Sequence, residues 1–178
     1  GQVIAEISRG GKAEIDRAIA AAEAAMEGNW GRMDQAVRGR LLLKMSELIK
    51  RDTELLAKIE SEDVGKPLSQ ARADVAACAR YFEYYGGAAE KIHGDTIPYQ
   101  NGFTAMTVYE PHGVVGIITP WNYPLQMNGR SLAPALAMGN AVVMKPAEDA
   151  SLSTLALAKI ATEAGFPPGA FNVVTGLG

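Results

Sequence analysis

Ile117-Ile118-Thr119-Pro120-Trp121-Asn122-Tyr123-Pro124-Leu125 decides how this chain folds. The apolar run over 113–118 reads as a buried strand. Pro120 stops it, and Pro124 opens an amphipathic helix at the first helical position, where a missing N–H costs no hydrogen bond. Between the prolines one small side-chain amide, Asn122, is flanked by two large aromatics. An amide donor then stands at a strand's carboxyl end beside a helix amino terminus, which is where open α/β sheets bind ligands.

Downstream the alternation continues. Residues 125–138 read as a helix ended by Gly139, 141–145 as a strand, 151–164 as a helix ended by Gly165, and 171–175 as a strand. Both glycines stand where left-handed helix caps belong. Three strands separated by two helices make a βαβαβ unit, so a parallel sheet with right-handed crossovers is expected. A parallel sheet needs cover on both faces and usually more strands. The chain therefore reads as cut in mid-domain, and as starting abruptly.

Upstream, residues 1–92 read as mostly helical. Ile15, Ile19, Ala22 and Met26 recur at helical spacing over 13–27, and Gly28 follows as a C′ residue would. A second helix buries Leu41, Leu42, Met45, Leu48 and Ile49. Its pattern continues through Leu55, Leu56 and Ile59 to the break at Gly65-Lys66-Pro67. Ser69 is expected to cap a third helix reaching about Ala89. Arg38, Arg40, Lys44, Lys50 and Arg51 make the second helix basic on one side, as a solvated face or an interaction surface. Residues 93–112 read as a protruding β-hairpin. Its β-type runs at 92–98 and 103–109 flank the turn signal Gln100-Asn101-Gly102. Residues 113–178 form the incomplete dinucleotide-binding part.

Composition narrows the function classes. The chain has 178 residues, 48% of them apolar, with 17 basic and 20 acidic side chains and a net charge of -3. That is one large domain, or one domain with an appendage. No Lys/Arg cluster marks a nucleic-acid partner. Two histidines and one cysteine leave no readable metal site and no internal disulfide. No apolar stretch has membrane-spanning length, and no signal-peptide pattern opens the chain. A cytoplasmic, reducing location without a membrane partner is the expectation.

Three groups of residues can carry chemistry. An amide such as Asn122 can donate to an oxygen that becomes negative in a transition state, or simply satisfy the strand-to-helix turn. Lys145-Pro146-Ala147-Glu148 places an ammonium donor and a carboxylate acceptor at a strand end, fit to grip a ribose or to form a surface ion pair. Gly165-Phe166-Pro167-Pro168-Gly169, then Asn172-Val173-Val174, then Gly176-Leu177-Gly178 supply backbone that a ligand can approach closely.

In this order and spacing, the three groups resemble the signatures of the NAD(P)-dependent aldehyde dehydrogenases, over essentially the whole chain. The resemblance implies an α/β fold: amino-terminal helices plus the first half of a Rossmann-like cofactor domain, with a hairpin that pairs subunits into a homodimer or homotetramer. It implies oxidation of an aldehyde to a carboxylic acid with NAD. NADP is the alternative, because some members with this Glu accept both. It makes Asn122 the donor to the oxyanion of a Cys-bound thiohemiacetal. Ile118, Thr119, Pro120, Trp121, Lys145, Glu148 and Gly178 become cofactor contacts, with Lys145 and Glu148 on the adenosine ribose. Tyr123 and Met127 line the substrate tunnel by the same resemblance. Arg130-Ser131 departs from the Trp-Lys of many relatives, so Arg130 faces either a polar substrate or a subunit contact.

The departures limit what the chain can do. The family's Cys nucleophile and Glu base sit in motifs that this sequence does not contain. Cys78, within Val75-Ala76-Ala77-Cys78-Ala79, has no adjoining cation to lower its pKa and reads as structural. The 178 residues alone are therefore expected to be inactive. A second reading stays open: a non-catalytic module that binds nucleotide weakly or pairs through its hairpin.

Overall fold

The computed structural model describes residues 3–178. Four helices come first: α1 (Lys12–Glu27), α2 (Gln35–Arg51), α3 (Thr53–Val64) and α4 (Leu68–Ala88), the last running into a 3-10 turn at Ala89–Lys91. Two short strands, β1 (Thr96–Ile97) and β2 (Ala105–Met106), pair antiparallel with Thr96 opposite Met106. The remainder alternates as β3 (Val114–Ile118), α5 (Pro124–Ala137), β4 (Ala141–Lys145), α6 (Leu152–Ala164) and β5 (Phe171–Val173). The three later strands form a parallel sheet in the order β3-β4-β5, so the molecule is α/β and Rossmann-like, with the expected βαβαβ unit.

β4 explains the sheet. Paired on both edges, its first four residues are buried, and Ala-Val-Val-Met supplies the unbroken apolar run that a central parallel strand needs. α1 lies against all three strands, α5 against β3 and β4, and α6 against β5. α4 joins this layer to the amino-terminal helices by packing on α2, α3 and α5. Two crossings depend on missing side chains. A Cβ on Gly39 of α2 would stand 2.7 Å from the Gly86 carbonyl of α4, and one on Gly129 of α5 would stand 3.0 Å from both Cα and Sγ of Cys78. Trp30 closes the far end of the core, its indole N–H donating to the Asn140 carbonyl at 3.0 Å.

The fold departs from the sequence reading at several points. β3 is an edge strand, not a buried one, and Ile118 is 80% exposed. The apolar run is suited to a strand with neighbours on both sides, but among the described residues only β4 pairs with it. The long second helix is two helices, because Asp52 ends α2 and opens α3. Pro67, not Ser69, occupies the cap position before α4, and Ser69 lies in its first turn. Gly28 ends α1 with a negative φ of -93°, whereas Gly139 and Gly165 take the expected left-handed turn at +84° and +101°. The hairpin forms, but each strand shrinks to two residues. Ile97, Phe103, Met106, Val108 and Tyr109 are all exposed there, so no packed face extends the ladder. Arg38 leaves the solvated basic face. It is buried and donates to the carbonyls of Ala137 and Met33, satisfying the carboxyl end of α5.

Candidate active site

The parallel register assembles the candidate residues at one end of the sheet. Ile118 pairs with Lys145, and the Thr119 N–H continues the ladder to the Lys145 carbonyl at 3.2 Å. The turn 119–123 and the loop 146–151 therefore leave the sheet side by side. The Lys145 ammonium then reaches across: it donates to the Gly176 carbonyl at 3.0 Å, to Pro146 O at 2.8 Å and to the Glu148 carboxylate at 3.4 Å. One cation thus ties the ends of β4 and β5 together. Glu148 is exposed, and its own backbone N–H, with Lys145, holds its carboxyl below the usual range. At neutral pH it is an ionised acceptor beside a donor.

Around this pair the surface is unusually apolar for a strand end. Ile118 is 80%, Trp121 59% and Leu177 54% exposed, and exposed apolar side chains collected around polar groups mark ligand-binding surfaces. Pro120, Asn122 and Gly178 are exposed as well. Thr119 is buried, and its hydroxyl oxygen has no hydrogen-bond partner among the described residues. The Asn122 amide carries none of the side-chain hydrogen bonds found among them. It is free to donate to a ligand rather than spent on the turn. Met127 is half-buried in the first turn of α5, its N–H on the Tyr123 carbonyl at 2.9 Å, and Arg130 is exposed beyond it. Nothing in the geometry brings Met127 or Arg130 into contact with the ammonium–carboxylate pair.

Beneath the turn lies a cluster that the sequence reading missed. Glu60 of α3 is fully buried. Its carboxylate accepts from the Leu125 N–H at 3.2 Å, the Ser153 hydroxyl at 2.8 Å and the Lys66 ammonium at 3.1 Å. Lys66 also donates to Asp74 at 2.6 Å and stands 4.5 Å from the centre of the Tyr123 ring. One turn along α3, Asp63 accepts the Leu152 N–H at 2.9 Å. Carboxylates from one face of α3 thus meet the amino termini of both α5 and α6, where negative charge is favoured. Burial lowers the Lys66 pKa, but Asp74 and Glu60 outweigh it and hold the ammonium charged. The available signal was the pairing of Glu60 and Asp63 on the buried side of an amphipathic helix, just ahead of Gly65-Lys66-Pro67.

The one thiol is remote from this chemistry in kind. Cys78 is fully buried, and burial, then the Glu60 charge, push its pKa up. Among the described residues no group of three or more His, Cys, Asp or Glu could hold a metal ion, and no helix is long and apolar enough to cross a membrane. A hollow of about 400 Å³ between α3 and α6 is lined by Leu55, Ile59, Leu155 and Lys159 among others and includes none of the motif residues.

Known proteins share this sequence pattern and fold. The family model described as "Aldehyde dehydrogenase family" matches residues 1–178. Retinaldehyde dehydrogenase 3 of Rattus norvegicus is 46% identical over 178 residues, covering 98% of this chain and 35% of its own length. The mitochondrial aldehyde dehydrogenase of Equus caballus is 47% identical over 181 residues, covering 100% of the chain and 36% of its own. Among solved structures, a putative aldehyde dehydrogenase from Burkholderia cenocepacia superposes with a TM-score of 0.99 at 58% identity, over 100% of this chain and 38% of that one. PnpE in complex with nicotinamide adenine dinucleotide superposes with a TM-score of 0.97 at 44% identity, over 100% and 37%. The chain thus spans a little over a third of the length of the relatives it matches. With the family model and the superpositions in agreement over its whole length, the chain belongs to the aldehyde dehydrogenase family.

Proposed function

We propose that the protein containing this chain oxidises an aldehyde to a carboxylic acid with NAD, and that these 178 residues supply the oxyanion donor and part of the dinucleotide site. The observation that carries the reading is the Ile118–Lys145 register. It sets the Asn122 turn beside an ammonium and an ionised carboxylate at one strand end. The donor set fits a ribose: Lys145 offers N–H groups to sugar oxygens, and Glu148 accepts from hydroxyls. Ile118, Thr119, Pro120, Trp121 and Gly178 complete the contacts, the exposed apolar side chains offering a surface for a flat base. When bound, the dinucleotide supplies the hydride acceptor.

The residues of this chain act on either side of that chemistry. Asn122, with its amide uncommitted, donates to the aldehyde oxygen as negative charge develops there. A donor fixed before reaction stabilises charge without reorganising during it. Tyr123 and Met127 form part of the aldehyde's passage, and Arg130 faces either a polar substrate group or a subunit contact. Residues 1–92 and 113–178 together build the cofactor domain, and residues 93–112 pair subunits. The one thiol does not serve as the nucleophile, because Cys78 is buried and held in its protonated form.

In the complete protein, Asn122→Ala should lower kcat about a hundred- to a thousand-fold, as loss of one oxyanion donor does, and leave NAD binding intact by fluorescence titration. An unchanged kcat would refute the role. The Glu148 carboxylate repels a 2′-phosphate, so NADH should bind more tightly than NADPH, and Glu148→Gln should narrow the gap. Tighter NADPH binding in the unmodified protein contradicts the preference.

A further inference from the structure

The Asn122 turn is short, exposed and bounded by two prolines, yet an oxyanion donor works only if it is held still. The turn is held on its amino-terminal side by the Thr119 N–H on the Lys145 carbonyl at 3.2 Å, and on its carboxyl side the restraint comes from Tyr123 and Leu125. Both converge on one buried cluster. The Tyr123 ring lies 4.5 Å from the Lys66 ammonium, and the Leu125 N–H, at the start of α5, donates to Glu60 at 3.2 Å. Lys66 joins Glu60 to Asp74 at 3.1 and 2.6 Å, with side-chain exposures of 9%, 0% and 3% for Lys66, Glu60 and Asp74. Gln70 donates to the other Asp74 oxygen at 3.0 Å. The third Glu60 contact, Ser153, comes from α6. The cluster therefore ties α3, α4, α5 and α6 together directly beneath the residue after Asn122.

We infer that Lys66 is a positioning residue: with Glu60 and Asp74 it forms a buried ionic clamp that fixes Tyr123 and the amino terminus of α5, and so holds Asn122 as a preorganised donor. The inference rests on the oxyanion role proposed for Asn122. Two charges of one sign around a single ammonium are an expensive way to fill a core, since a buried ion pair often stabilises no more than an apolar one of the same volume. The cluster has a use if what it provides is geometry. A cation over an aromatic face is directional, and the chain from Lys66 to Asn122 has one side chain and one peptide link. A displacement on the order of 1 Å at a reacting centre can cost about a hundredfold in rate.

The test is a double-mutant cycle in the complete protein, with kcat and the KM for NAD and aldehyde measured for each variant. Lys66→Met and Asn122→Ala are made singly and together. Lys66→Met is expected to lower kcat by roughly ten- to a hundredfold, with the KM for NAD little changed. In the Asn122→Ala background it is expected to cost almost nothing further, because the donor it positions is already gone. Tyr123→Leu keeps all three charges paired and covers the case in which Lys66→Met fails to fold. It should show the same non-additivity, with a smaller loss of kcat. Multiplicative losses in the cycles, or an unchanged kcat in Tyr123→Leu, would overturn the clamp. If the unmodified protein oxidises no aldehyde, or Asn122→Ala alone leaves kcat unchanged, it is the functional reading that fails.

Discussion

Cys78 meets Gly129 where α4 crosses α5, so closely that a Cβ on Gly129 would stand 3.0 Å from its Sγ, and with no solvent access. Desolvation disfavours its thiolate, and the thiolate is the form that attacks electrophiles. The folded protein should therefore leave Cys78 unlabelled by a thiol reagent, with one equivalent reacting after denaturant is added. Rapid labelling of the folded protein would contradict this placement. The same physics separates what was legible at single residues from what was not. Asn122, Lys145 and Glu148 follow breaks made by proline or by the end of an apolar run, so their neighbourhood can be read from local order. Glu60, Lys66 and Asp74 meet across three segments, and each alone looks like a surface charge between apolar neighbours. Arg38 was misread for the same reason: its partners, Ala137 and Met33, include a carbonyl 99 residues away.

At the scale of elements, helix ends with glycine or proline were legible and the joint at Asp52 was not. Leu48, Ile49, Leu55, Leu56 and Ile59 keep helical spacing across it, and only the polar Lys50-Arg51-Asp52-Thr53 stretch marks the bend. Arg51 at that joint donates to Asp52 at 2.7 Å and to Glu163 of α6 at 2.9 Å. It holds Glu163 below its ordinary 4.5 and Asp52 below its ordinary 3.8. Carboxyl groups lowered on folding stabilise the protein above their unfolded pKa values, and that contribution is lost as pH falls through the lowered ones. Arg51→Gln should thus lower the denaturation midpoint at pH 7, modestly because these pairs are exposed. The deficit should fade below about pH 4. A deficit of constant size from pH 7 to pH 3 would contradict it. The α4–α5 crossing gives a larger effect. Gly129→Val forces a branched side chain against the Cys78 backbone and should cost about 1–3 kcal/mol, as overpacking does, read as a lower midpoint in chemical denaturation.

For the molecule as a whole, the sheet has three strands with β3 and β5 at its edges, and the surface at their carboxyl ends is apolar around an ammonium–carboxylate pair. The parallel direction of the strands was legible because two helices separate three apolar runs. The exposure of β3 was not, since an apolar run does not reveal which neighbours pair with it. Function divides in the same way. On the proposed reading, donor, ribose grip and clamp are assembled within these 178 residues, whereas their one thiol, Cys78, is buried away from any aldehyde. The most direct test uses the 178-residue protein, verified by intact mass and free of longer species, mixed with NAD and a panel of aldehydes. The expected result is no aldehyde-dependent NADH, while the complete protein turns over under the same conditions. Aldehyde-dependent NADH from the 178 residues alone would contradict the account.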